Sequence, residues 1–191
     1  FSHQAVTDVG IMASIPGMRV FEPSCGEELQ WSITQALAHE GPSYIRVGGL
    51  TPAPRAQGVT GYLTERRVGS DGAFVASGPL LTLAALDAAE ILVKEGGLDV
   101  SVFTTPEICR DPDSFALDTL STTDHVVVLE NHNPSLAKYE HLAQTMFDRG
   151  VPVSRIGLVG VPANGQPGEV MEFHGLDAES LAAQFRAHQS R

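Results

Sequence analysis

Cysteine is scarce, basic residues are outnumbered and no long apolar run occurs, and each shortage closes off a class of function. The two cysteines, Cys25 and Cys109, lie far apart and outside any C-x-x-C spacing. Neither a disulfide framework nor a zinc site is therefore expected, and a reducing cytoplasm suits the chain best. Twelve Lys and Arg stand against 23 Asp and Glu, for a formal net charge of −11. Nucleic-acid affinity comes from cationic side chains displacing condensed counterions, so no nucleic-acid partner is expected. No stretch approaches ~18 consecutive apolar residues, and there is no basic amphipathic helix or lipidation signal, which leaves no support for a membrane role. Phosphate loops are missing too, since "VGGL" and "VASGPL" fit neither G-x-G-x-x-G nor G-x-x-x-x-G-K-[ST]. Ser77, in "ASGPL", is not a G-x-S-x-G nucleophile, and no base partners it in the sequence.

What is present is the composition of a globular chain of one large or two small domains: 191 residues, 42% of them apolar. The apolar periodicity predicts a helix within 5–15, ended by Pro16-Gly17, then a strand "MRVFE". Ser24 and Glu27 have the S-x-x-E spacing of a capping box, and Leu29, Ile33, Ala36 and Leu37 follow at helical intervals up to Gly41-Pro42. "SYIRV" reads as the next strand. From 51 to 72 the composition turns to Gly, Pro, Thr and Arg, a linker with at most short strands, in which "GSDG" reads as a hairpin turn. "AFVASG" is then a buried type of strand, and Pro79 opens a helix whose apolar face runs from Leu81 to Leu92. "LDVSVF", "HVVVLE" and "RIGLVGV" are further strands, with helices at about 113–121, 135–149 and 178–188. Strand and helix alternate, and runs such as "VVVL" belong to strands covered on both faces. The expected fold class is α/β with a mainly parallel, helix-flanked sheet.

Few residues stand out as chemical on their own. His3 has an imidazole able to exchange protons near neutral pH, although a histidine in a loop before a helix is more often structural or solvated. His132, in "ENHNP", follows a strand at the end where open parallel sheets collect ligands; the plainer reading is a turn into the next helix. His39, His125, His141, His174 and His188 have no partner at ligand spacing and read as ordinary surface or core residues. The acidic residues are dispersed over expected helix faces, the pattern of a solvated surface. No metal site is expected.

"SHQAVTDVGIMASIPGMRVFEP", the helix after it and "EGPSYIRVGG" resemble the second half of the pyrimidine-binding domain of transketolases, and the rest, with "FHGLDAESLA" near its end, resembles their C-terminal domain. The resemblance covers essentially the whole chain in element order. It implies a partial pyrimidine-binding α/β domain at 1–50, a linker at 51–72 and a transketolase C-terminal domain at 73–191. The family's G-D-G…N magnesium signature and its cofactor-activating glutamate are not found here. The chain is thus expected to be the C-terminal portion of a transketolase, or the small subunit of a split one. Thiamine diphosphate and Mg2+ would be held mainly outside it, by an N-terminal half or subunit, in a cytoplasmic dimer or two-plus-two heterotetramer. In that chemistry the cofactor carries a two-carbon ketol unit between sugars, while the protein orients hydroxyls and moves protons. His3 matches the histidine of a "THQ"-type motif, implying a catalytic and substrate-binding role beside the donor sugar's oxygen.

Two departures qualify the resemblance. Where many members place a phosphate-binding arginine, Gly49 stands in Arg46-Val47-Gly48-Gly49. Glycine offers a backbone N–H in place of a planar donor fork, which points to a non-phosphorylated or modified sugar, or to an anion bound elsewhere. "ENHNPSLAKYEHLA" also differs from the "GGLG"-like helix start of relatives and leaves the role of His132 open. Two further readings stand beside the leading one: the beta-type subunit of a 2-oxoacid dehydrogenase, and a non-catalytic assembly module.

Overall fold

A computed structural model describes residues 7–48, 51–59, 61–108, 110–133 and 139–189. Helix α1 (Asp8–Ala13), strand β1 (Arg19–Phe21), helix α2 (Gly26–Ala38) and strand β2 (Ser43–Ile45) form a first unit, in which β1 and β2 pair in parallel across α2. Pro16-Gly17 ends the turn after α1 as expected, with Gly17 at φ 76°, a backbone state that favours glycine. The start of α2 differs from the expected capping box. Cys25 is the N-cap and makes no side-chain cap. Glu28, rather than Glu27, reaches back to accept hydrogen bonds from the Ser24 N–H and Oγ, at 2.7 and 2.8 Å. Glu27 is drawn off by Arg55, at 2.6 Å.

The remaining strands are β3 (Thr64–Arg67), β4 (Ala73–Ala76), β5 (Ser101–Thr104), β6 (Val126–Glu130) and β7 (Val153–Gly157). They form one sheet in the order β3-β5-β4-β6-β7, with β3 antiparallel to β5 and the other neighbours parallel. β3 lies within the stretch expected to be a linker. "GSDG" is not a hairpin turn, because β5 sits between β3 and β4 in the sheet. Its Asp71 instead accepts from the Asp99 backbone N–H, while Ser70 and Asp71 donate theirs to the Asp99 carbonyl, so the turn is tied to the start of β5. β7 begins and ends earlier than "RIGLVGV" implies, leaving Val159 and Val161 exposed beyond its end.

Helices cover both faces. α3 (Gly78–Gly96) opens with proline in its first turn and ends on Gly97 in the left-handed conformation. With α7 (Ala178–Gln189) it packs Leu81, Ala85, Ala88, Leu92, Leu181 and Phe185 against Phe74, Ala76, Val127 and Leu129. α4 (Ser114–Leu120) and α5 (Glu140–Asp148) cover the opposite face, where Ala73, Val75, Val126 and Val128 point. Alternate residues thus serve different cores, which is why β4 and β6 are apolar at nearly every position. α6 (Pro167–Phe173) rises from a Gly- and Pro-rich stretch without a helical apolar pattern; a reciprocal Gln166–Glu169 cap starts it. No helix among the described residues is long and apolar enough to cross a membrane.

The second core does not stop at the sheet. Val9 and Val20 of the first unit are fully buried within the same apolar cluster as Val75, Phe103, Tyr139 and Met146. Main-chain bonds continue the junction: Ile108 N–H donates to the Val20 carbonyl, Glu22 N–H to Pro106 and Gly78 N–H to Glu22, at 2.9–3.0 Å.

Candidate functional site

Chain order creates a natural crevice in the five-stranded sheet. From β4 the chain crosses through α3 to β5 on one side, and from β6 through α5 to β7 on the other, so the connections diverge at the carboxyl ends of β4 and β6. Ligands of open α/β sheets bind at such a divergence. Ser77 and Gly78 stand at the end of β4, and Asn131 at the end of β6.

The group occupying this crevice belongs to the chain itself. Glu22, directly after β1, is nearly fully buried and accepts three side-chain hydrogen bonds: from Ser77 Oγ at 3.0 Å, Asn131 Nδ2 at 2.6 Å and Arg46 Nη1 at 3.0 Å. A methyl group on Gly78, whose φ is +68°, would lie 2.7 Å from Glu22 Oε1, so glycine lets the carboxylate approach. Arg46, just past β2, is shared. Its Nη1 also donates to Asn131 Oδ1, and its Nε lies 3.0 Å from Asp8 Oδ2. Tyr44 donates to that same Asp8 oxygen at 2.8 Å. Burial and then the Asp8 carboxylate push the Tyr44 phenol above its usual range, keeping it a donor. Asp8 Oδ1 is buried and has no hydrogen-bond partner among the described residues.

Two further ion-pair clusters fasten the units together. Arg19 grips Glu107 in a fork, with Nε–Oε1 at 2.6 Å and Nη2–Oε2 at 2.7 Å, while its guanidinium lies 5.1 Å from the centre of the Phe21 ring. The hydrogen bond to Glu107 raises the Arg19 pKa further. Glu28, fully buried, accepts from Thr104 Oγ1 and sits 3.5 Å from Arg66 Nη1, which also donates to Ser24 Oγ.

Of the sequence-predicted residues, His3 and Gly49 lie outside the described residues. His132 is not in an open turn. It is completely buried with Nε2 3.0 Å from Glu130 Oε2, and Glu130 also accepts from Arg155 Nε at 2.7 Å. The His132–Glu130 pair is at ion-pair distance without hydrogen-bond alignment, and both ring nitrogens lack an aligned partner among the described residues. Ser77, without a base in the linear sequence, is bonded to Glu22, yet both are sealed in the junction, so the pair holds structure instead of activating a nucleophile. The dispersed acids are not all a solvated surface, since Glu22, Glu28, Glu107 and Glu130 are buried. One signal of this is legible in the sequence: Glu22 and Arg46 each follow a short apolar strand, opposite charges at the same ends of two strands that pair in parallel.

A cavity of about 530 Å³ opens beside Arg46 and Asn131, walled by Leu80, Leu158, Met171 and His174. His174 Nε2 accepts from the Ala163 N–H at 3.1 Å, so the neutral ring carries its proton on Nδ1. No group of three His, Cys, Asp or Glu among the described residues could hold a cation, and the α3 N-terminus that would receive phosphate already faces the Glu22 carboxylate.

Comparison with known proteins agrees with this architecture. The profile of a family described as "Transketolase, C-terminal domain" matches residues 61–181. A protein of Actinobacillus succinogenes, named as one subunit of an apulose-4-phosphate transketolase, is 28% identical over 190 residues, covering 94% of this chain and 60% of that protein. A subunit of a 6-deoxy-6-sulfo-D-fructose transketolase from a Clostridium species is 31% identical over 163 residues, covering 82% of this chain and 50% of its own length. Among solved structures, "Split gene transketolase, inactive beta4 tetramer" superposes with a TM-score of 0.79 at 28% identity, covering 95% of this chain and 61% of that one. The chain thus spans between half and about three-fifths of the length of these relatives.

Proposed function

Because the chain belongs to the transketolase family, carrying its C-terminal domain, we propose that it is the C-terminal portion or subunit of a thiamine-diphosphate-dependent transketolase that moves a two-carbon ketol unit between sugars. The observation that carries this reading is likeness along nearly the whole chain, first unit included, to a polypeptide that is itself named as a single subunit of a transketolase. The architecture supports it. β1 and β2 have only each other as strand partners among the described residues, and a two-stranded sheet is too small to support a domain alone. On the helices beside them Ile11, Ile33 and Leu37 are exposed, the face an upstream half of the same domain would cover.

In this reading the first unit is completed by an N-terminal half or subunit that holds thiamine diphosphate and Mg2+, in a cytoplasmic dimer or two-plus-two heterotetramer. The proposed bounds are 1–50 for the first unit and 73–191 for the C-terminal domain, with 51–72 joining them and lending β3 to the C-terminal sheet. The cofactor supplies the electron sink for the two-carbon transfer. His3 binds the donor sugar and moves a proton at its hydroxyl, and the C-terminal sheet holds the first unit in place. The relatives are named for apulose 4-phosphate and for a sulfonated fructose. Gly49, in place of an arginine, favours a similarly unusual sugar, recognised by other groups.

The test mixes this chain with its upstream partner, thiamine diphosphate and Mg2+ and follows ketol transfer from a panel of phosphorylated, sulfonated and uncharged ketoses. His3→Ala is expected to lower kcat/KM by ~10²-fold or more, as loss of a positioned acid-base group does. Turnover unchanged by that substitution removes His3 from the mechanism. Decarboxylation of pyruvate in place of ketol transfer would move the assignment to a 2-oxoacid dehydrogenase, and no activity with any donor would favour an assembly role.

A further inference from the structure

Beside the crevice that Glu22 fills, the carboxyl ends of the sheet leave a cavity of about 530 Å³ between the first turn of α3, the chain just past β6 and β7, and α6. We propose that this cavity is a binding site for a small uncharged molecule that joins an apolar ring or chain to a carbonyl oxygen. The inference goes beyond the transketolase reading and does not depend on it.

Size and walls suit such a ligand. Small-molecule sites are commonly hollows of ~300–1,000 Å³, lined by apolar side chains with a few placed polar groups. Leu80, Leu158, Val170 and Met171 supply the apolar surface here, and Arg46, Asn131 and His174 the polar groups. Helix α6 gives a second indication. It is only seven residues long and none of them is fully buried, although a short helix draws its stability from packing an apolar face. Met171 touches the core under α3 and α7, yet it and Val170 also line the open cavity. An occupant would supply the packing that the chain leaves out.

The polar groups set the ligand's chemistry, because what they leave uncommitted is donors. Arg46 gives Nη1 to Glu22 and Asn131 and holds Asp8 at Nε, while Nη2 donates to none of the described residues. Asn131 Nδ2 keeps a second hydrogen beyond the one it gives to Glu22. His174 accepts the Ala163 N–H at Nε2, so its own donor is Nδ1–H, which has no acceptor among the described residues. An acceptor oxygen on the ligand answers these donors. Charge then selects the kind of acceptor. Arg46 is the only charged side chain lining the cavity among the described residues, and its guanidinium already stands between the carboxylates of Glu22 and Asp8. A carboxylate or phosphate would bring a further negative charge to that guanidinium, whereas a carbonyl accepts the same bonds without the repulsion.

The test uses the protein as it assembles, with methionine methyl groups isotopically labelled in this chain alone and followed by NMR. The chain has four methionines, and Met171 is assigned with Met171→Leu. Benzamide at millimolar concentration is expected to shift the Met171 signal saturably and to leave Met146, buried in the other core, unmoved. Toluene, which lacks the oxygen, and benzoate, which adds the charge, are each expected to bind several-fold more weakly. His174→Phe is expected to weaken benzamide several-fold and leave toluene as in the wild type. Leu80→Trp and Val170→Trp replace half-buried residues and fill the cavity from two sides. Each is expected to abolish the benzamide shift while Met146 keeps its native signal, and either decides alone if the other does not fold. A Met171 signal that benzamide does not move saturably overturns the site, including the case in which a segment of the partner already occupies it. A shift that survives both tryptophan substitutions overturns its placement, and benzoate or toluene binding as tightly as benzamide overturns the ligand class.

Discussion

Burial decides what each charged residue is worth. Glu107 is almost wholly enclosed and makes a two-pronged bond to Arg19, so Glu107→Ala leaves the partly exposed guanidinium with water and the Gln35 carbonyl in place of that fork. Urea unfolding should show a loss of about 2 kcal/mol, less than for a fully buried pair because water reaches Arg19. Asp118→Ala, which removes a solvent-exposed partner of Arg149, should cost under about 0.5 kcal/mol in the same measurement. His125 adds a pH dependence. Its ring lies against Phe185 and His188, with Nε2 at Ser154 Oγ. Burial, and then the His188 charge, hold its pKa below the usual 6.5. The unfolded chain therefore binds this proton more readily than the folded one. His125 leaves stability intact above about pH 6.5 and lowers it as pH falls towards the depressed folded value. Thermal melts of His125→Asn should show a shallower decline over that acid range than the wild type.

At the scale of elements, the junction depends on how closely α3 meets β1. Gly78 combines a positive φ with a carboxylate 2.7 Å from where a side chain would begin. Gly78→Ala should cost about 2 kcal/mol, the scale of backbone strain in that region, and should displace Glu22 from Ser77. On the face that α3 and α7 share, α7 is anchored by Phe185, which is fully buried, packs 5.1 Å from the Phe74 ring and also touches His125. Phe185→Ala should destabilise by about 3–5 kcal/mol in denaturant unfolding, because the void lies between α7, α3 and the sheet, where little can collapse into it. Both effects follow from one layered arrangement, in which each helix is held by what the neighbouring strand presents.

The whole molecule looks outward through its first unit. Leu37, 83% exposed, and Ile33, one turn earlier on α2, form an apolar strip that nothing in this chain covers among the described residues. Leu37→Asp should leave the melting temperature of the chain itself unchanged and weaken capture of the upstream partner in a pull-down from purified components. The chain by itself should show no ketol transfer, and activity should appear only on mixing with that partner. Turnover by the purified chain alone would contradict the proposed division of labour.

Local pattern was enough for most of the architecture. Strict apolar runs, the punctuation of Pro16-Gly17 and Gly41-Pro42, and the alternation of strand with helix identify an α/β chain, because these signals arise from backbone sterics and from two-sided burial of strands. "SHQAVTDVG" and "SYIRVGG" likewise carry the family likeness in linear order. Sheet order was beyond such a reading: β5 lies between β3 and β4, which removes the hairpin that "GSDG" suggests. So was the site. Glu22, Arg46, Asn131 and Asp8 are far apart along the chain and share no motif, and Glu28 takes the place of Glu27 as the partner of Ser24. Which acids are buried depends on strands and helices brought together from distant stretches, and that pairing is settled by packing of the two units against a shared core.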